Sequence, residues 1–143
     1  MPVRRVPPAE ASRLIAEEGY VYLDVRSIPE FDGGHPTGAY NVPLLHMGPG
    51  GMMPNAEFLE VVSSRFPKGA KIVTGCKMGG RSLRAAEMLA AAGYGSVVDL
   101  VGGFGGEYNH MRQLVNPGWS QSGLSVEERA QPGRSYEELR AKR

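Results

Sequence analysis

The sequence predicts an α/β protein whose mostly parallel sheet is covered by helices on both faces. Three observations carry that reading. Short β-type runs alternate with amphipathic helical runs, as a sheet wound through helical crossovers requires. Glycine pairs stand at Gly33-Gly34, Gly79-Gly80 and Gly102-Gly103, where such runs must turn tightly. The 143 residues, 41% of them hydrophobic, suffice for one buried core without staples.

Each element follows in order. Residues 9–18 place Ala11, Leu14 and Ile15 at helical spacing and stop at Gly19. Tyr20 to Leu23 reads as a buried strand ending at Asp24, and Ser27 to Asp32 as a short helix. Ala39 to Val42 is a further short strand, and Pro43 to Pro54, holding Gly48-Pro-Gly-Gly51, a loop. Asn55 caps a second helix that turns Phe58, Leu59, Val62 and Phe66 inward and closes at Pro67. Lys71 to Thr74 is a strand. The loop from Cys76 to Arg81 then opens a helix with Leu83, Ala86, Leu89 and Ala90, stopped by Gly93. Val97 to Val101 is the last strand.

Composition narrows the function classes. Sixteen basic against fifteen acidic residues give +1, which argues against a general nucleic-acid or membrane-surface role. No apolar run reaches membrane-span length, and Met1 to Pro8 does not read as a secretory leader. The single cysteine cannot form an internal disulfide, and no Cys or His cluster has metal-ligand spacing. A cytoplasmic, reducing setting and no cofactor are the expectations.

In open parallel sheets ligands bind beyond the carboxyl ends of the strands. Three strands end there in chemistry-bearing turns: Asp24-Val-Arg26, Gly75-Cys76 and Gly102-Gly103. Cys76 stands between a strand and a helix start. Unpaired amides at that start and in the glycine-rich turn form a cup of positive potential that stabilises a thiolate. Lys77 and Arg81 add cationic charge, and Gly79 and Gly80 let the backbone curl around a group carried on sulfur. A lone cysteine at a strand end is more often a small buried hydrophobe; its neighbours tip the balance towards reactivity.

These residues resemble a known family. Leu23-Asp-Val-Arg26, Glu30-Phe31 and Gly34-His35-Pro-Thr-Gly38-Ala39-Tyr-Asn41-Val-Pro43 resemble the first signature of rhodanese-like domains. Cys76-Lys-Met-Gly-Gly-Arg-Ser82 resembles their active-site loop, and Val101-Gly-Gly-Phe104 their last turn. The match runs from about Val3 to Leu124, placing a domain over residues 1–128 and leaving 129–143 as a polar tail. Ser135-Tyr-Glu-Glu138 has capping-box spacing, so that tail reads as a short helix or as solvated chain.

The resemblance implies an open, mostly parallel five-stranded sheet and a single-domain sulfurtransferase. Cys76 would take a sulfane sulfur from a small anionic donor, thiosulfate before 3-mercaptopyruvate because Lys77 and Arg81 are basic. It would pass that sulfur to cyanide or a thiol, either a small thiol or a thioredoxin-like protein. Lys77, Met78, Gly79, Gly80, Arg81 and Ser82 would form the binding loop, with Arg81 on the donor's sulfonate. Asp24, Arg26 and Glu30 read as a supporting ion-pair set.

Two other readings compete. A cysteine phosphatase needs five residues between cysteine and arginine; here four separate Cys76 from Arg81, and Ser82 holds the arginine position. A persulfide carrier, with poor turnover of small donors, would keep the same cysteine. His35 reads as a turn histidine, and His46 and His110 have no evident role. Met47, Met52, Met53 and Met78 read as gap-fillers or an apolar wall. Gly103-Phe-Gly105-Gly106 lacks the Lys-Ser/Thr of a phosphate loop. The family's tryptophan comes late, at Trp119, so residues 105–118 read as an inserted loop, a candidate lid or partner surface.

Overall fold

A computed structural model describes residues 3–78 and 80–141. The elements run β1 (Arg4–Val6), α1 (Pro8–Glu17), β2 (Val21–Asp24), α2 (Ile28–Asp32), β3 (His35–Pro36), β4 (Tyr40–Asn41), β5 (Leu45–Gly48) and β6 (Gly51–Pro54). They continue with α3 (Phe58–Arg65), β7 (Lys71–Gly75), α4 (Gly80–Ala91), β8 (Ser96–Leu100), β9 (Glu107–Tyr108), β10 (Leu114–Asn116), a 3₁₀ turn (Trp119–Gln121), β11 (Val126–Glu127) and α5 (Tyr136–Ala141).

The main sheet has five strands in the order β1-β8-β7-β2-β4, and every pairing is parallel. Alternation along the strands sorts the core into two halves. Leu23 and Ile72 face one side with Phe58, Val61 and Val62 of α3, Ala85 and Leu89 of α4, and Tyr136 and Leu139 of α5. Tyr22, Val73 and Val98 face the other with Ala11 and Leu14 of α1 and Trp119. This is the predicted sheet with helices on both faces.

Local chemistry explains the element ends. Pro8 opens α1 in the first turn, where its missing N–H costs nothing. In α2, Glu30 accepts hydrogen bonds from the Ser27 amide (3.1 Å) and hydroxyl (2.9 Å), closing the first turn. Asn55, expected as the cap, stands two residues before it, the cap being Glu57: its Oδ1 accepts from the Glu57 amide (3.0 Å), while its Nδ2 donates to Pro43 O (2.9 Å).

Two segments read as loops form hairpins, and β1 lies in a stretch to which the sequence reading gave no element. Residues 43–54, read as a loop, hold an antiparallel hairpin of β5 and β6, with Met47, Met52 and Met53 exposed. The inserted stretch also forms a hairpin, β9 with β10, before Trp119 returns to the core. Of the two readings for the tail, the structure has the helix, and Tyr136 and Leu139 are buried. No helix among the described residues is long and apolar enough to cross a membrane.

Candidate active site

The register brings the three expected turns to one rim. Asp24 lies level with Gly75, and Thr74 with Asp99, so β2, β7 and β8 end together around Cys76. Val25 then donates its amide to Gly75 O (2.9 Å), carrying the pairing one residue beyond the strand.

The turn after β8 closes on the cysteine loop. Phe104 N donates to Cys76 O (2.6 Å), and Gly105 N to Lys77 O (2.9 Å). Gly103 makes this approach possible. Its φ of +60° favours glycine, and a Cβ there would collide with the Cys76 and Lys77 carbonyls.

Asp24 and Arg26 are both buried and form a forked pair: Arg26 Nη2 donates to Asp24 Oδ2 (2.8 Å) and Nε to Oδ1 (3.0 Å). Arg26 Nη2 also donates to Gly34 O (2.6 Å), and its guanidinium lies 4.4 Å from the Phe104 ring centre. Burial works against this cation, but the Asp24 carboxylate outweighs it and holds the guanidinium protonated, its pKa raised. Asn41 Nδ2 donates to the carbonyls of Asp24 and Arg26, each at 3.0 Å. Asp24 and Arg26 thus lock the first turn to the last.

Arg81, expected on the donor, is paired here with Glu30. Its two terminal nitrogens donate to Glu30 Oε1 (2.7 Å) and Oε2 (3.0 Å), a bidentate pair joining α4 to α2. Burial would raise the Glu30 carboxyl, yet the hydrogen bonds from Arg81 and Ser27 prevail and hold it down to about 2. The Arg81 guanidinium is pushed up by Glu30 first and by the Cys76 charge after it, which places this cation within electrostatic reach of Cys76. Glu30 therefore belongs to the site through its direct bonds to Arg81, and its charge also acts on Arg26.

Ser82 also faces inward. It is buried and donates to Asp99, which further accepts from Thr74 Oγ1 (3.1 Å) and Arg5 Nε (3.1 Å). Burial raises the Asp99 carboxyl against these three donors. Lys77, Met78 and Gly80 are exposed, and Lys77 has no ion-pair partner among the described residues. Gly79 lies outside the described residues.

Cys76 itself is 1% exposed and stands at the top of the core beside Val25 and Ala85. The sulfur expected at an open cup is buried, and the two residues that follow it, Lys77 and Met78, are exposed. Asp99, which joins β1, β7 and α4, is a residue the sequence reading did not place at the site. A buried acid on the neighbouring strand offers no local signal. Glu30 was expected in an ion-pair set with Asp24 and Arg26; its bidentate partner is Arg81.

His35 is fully buried and stacks on Phe31 with ring centres 3.7 Å apart. Its Nδ1–H donates to Phe31 O (2.9 Å), and Nε2 lies 3.2 Å from Glu127 Oε2. It is built into the turn. No cluster of metal-ligating side chains occurs among the described residues.

A buried cysteine at the end of a central parallel strand, locked between these two turns, defines a recognisable class. The model of the rhodanese-like domain matches residues 7–108, and the chain belongs to that family. Among its relatives is "Thiosulfate sulfurtransferase 16, chloroplastic" of Arabidopsis thaliana, 45% identical over 101 residues, which cover 68% of this chain and 84% of that one. The senescence-associated protein DIN1 of Raphanus sativus is 40% identical over 127 residues, 87% of this chain but 63% of the relative's length. The crystal structure of Rv0390 from M. tuberculosis shares the fold, with a TM-score of 0.74 at 24% identity, covering 90% of this chain and 100% of that one. Relatives named as thiosulfate sulfurtransferases place the chain in a sulfurtransferase family.

Proposed function

We propose that this protein moves a sulfane sulfur from thiosulfate, or a similar small anionic donor, to cyanide or a thiol through a persulfide on Cys76. The observation that carries the reading is the position of Cys76: the end of the central strand, between Asp24-Arg26 and Gly102-Phe104, directly before α4. The Cys76 thiolate attacks the outer sulfur of thiosulfate. A sulfur–sulfur bond forms, the bond to the sulfonate sulfur breaks, and sulfite leaves with its electron pair. An acceptor thiolate or cyanide then takes the outer sulfur and returns the Cys76 thiolate.

Within this scheme Lys77 attracts the anionic donor, because Arg81 is engaged by Glu30 and shapes the loop from behind. That arrangement also speaks against a phosphatase, whose arginine must face the substrate. Ser82 is a positioning residue that anchors the start of α4 to Asp99. The acceptor thiol is either small or carried by a thioredoxin-like protein. The burial of Cys76 favours a second reading, a persulfide carrier that accepts sulfur from a partner and turns over small donors poorly.

Intact mass after thiosulfate treatment tests the proposal. Wild type should gain one sulfur, lost again on adding cyanide, and Cys76→Ser should gain none. Failure of wild type to gain sulfur from thiosulfate and from a persulfidated protein thiol would remove both readings.

A further inference from the structure

Tyr22 carries a hydroxyl that nothing above explains. Its side chain is 3% exposed, and its oxygen is the buried side-chain polar atom with no hydrogen-bond partner among the described residues. Such an atom forfeits its hydration, so its retention calls for a reason. The ring rises along the α1 face from β2, packed edge-on against Trp119 at 5.4 Å, and ends against Gly75. A Cβ at Gly75 would fall on the Tyr22 hydroxyl. The residue before the nucleophile therefore has no side chain, and a phenol fills the space beneath the turn.

We propose that Tyr22 is a positioning residue for Cys76, its hydroxyl a hydrogen-bond donor held under the Gly75–Cys76 turn for the ionised and sulfur-loaded forms of the site. This deepens the sulfurtransferase reading and rests on it. The groups around the phenol are Asp24 and Arg26 at the end of β2, Cys76 on its loop, and Asp99 on β8, itself paired with Arg5 of β1. Burial first, then the negative charges of Asp24, Cys76 and Asp99, outweigh Arg26 and raise the phenol well above its ordinary value. The hydroxyl therefore keeps its proton throughout the neutral range and is always a donor.

Tyr22→Phe removes one oxygen and keeps the ring. The variant should melt no lower than wild type, because no resting hydrogen bond is lost. Its persulfide-loading rate at saturating thiosulfate should fall roughly tenfold, the scale of one hydrogen bond to a charged group, with KM within twofold. The pH profile of Cys76 alkylation by iodoacetamide should move to higher pH. Wild-type loading and alkylation profiles in Tyr22→Phe, or a loss confined to KM, would overturn the proposal. Alkylation does not depend on sulfur transfer: if wild type fails to load sulfur but the two profiles still differ, the sulfurtransferase reading falls and the positioning role stands.

Discussion

At the scale of single residues, two cations of the signature face inward while a third faces solvent. Arg26 is fixed by Asp24 and Arg81 by Glu30; Lys77 alone of the three remains at the surface. The residues themselves were legible in the sequence, as were Cys76 and the glycine pair that lets the last turn close on it. The Asp24–Arg26 pair was legible with them, but the Arg81–Glu30 pair was not, because an ion pair between α2 and α4 is decided by how the helices pack and leaves no trace in local spacing. Glu30→Gln tests the pair. It should slow persulfide loading several-fold by releasing Arg81. The stability cost should be roughly 1 kcal/mol, since both side chains keep about a fifth of their surface in water. Because Glu30 titrates at about 2 when folded and at 4.5 ordinarily, its contribution is complete above 4.5 and lost as pH falls towards 2. The melting-temperature gap between wild type and variant should therefore close over that range; a gap independent of pH would rule the pair out as its source.

At the scale of elements, the long periodic segments were readable and the short ones were not. α1, α4 and the central strands carry their apolar residues at periods the chain enforces over several positions. β5, β6, β9 and β10 have two to four residues each and none of them is buried; β5 and β6 are rich in glycine and methionine. No buried face disciplines their pattern. β1 was missed for a related reason: it is an edge strand of three residues with only Val6 buried. The terminal helix was legible from its capping spacing, but its packing was not. Tyr136 accepts a hydrogen bond from Asn55 Nδ2 (3.2 Å), and Leu139 is 1% exposed against the α3 side of the core. Leu139→Ala should therefore cost about 2–4 kcal/mol in denaturant unfolding, whereas a solvated tail would give no change in midpoint.

Across the whole molecule, one buried acid ties the far edge of the sheet to the Cys76 loop. Asp99 receives Arg5 from β1, Thr74 from β7 and Ser82 from α4, so the edge strand, the central strand and the helix behind Cys76 meet at a single carboxylate. Asp99→Ala strands two buried hydroxyls, Thr74 and Ser82, and releases the exposed Arg5 to water; it should cost about 2–4 kcal/mol, with loss of persulfide loading. Asp99→Asn keeps the shape and one acceptor oxygen, and should cost less. The pH response separates this group from Glu30. Burial raises the folded-state value of Asp99, so the native protein takes up that proton before the unfolded chain does, and stability rises as pH falls from the raised value to the ordinary 3.8. Glu30 acts in the opposite sense at lower pH. Wild type should therefore gain from Asp99 on mild acidification and then lose from Glu30 towards pH 2, a sequence that melting curves at stepped pH resolve. Asp99→Asn should lose the first arm and keep the second. If both arms persisted in that variant, another buried acid, and not the one that joins β1 to the Cys76 loop, would be the source of the gain.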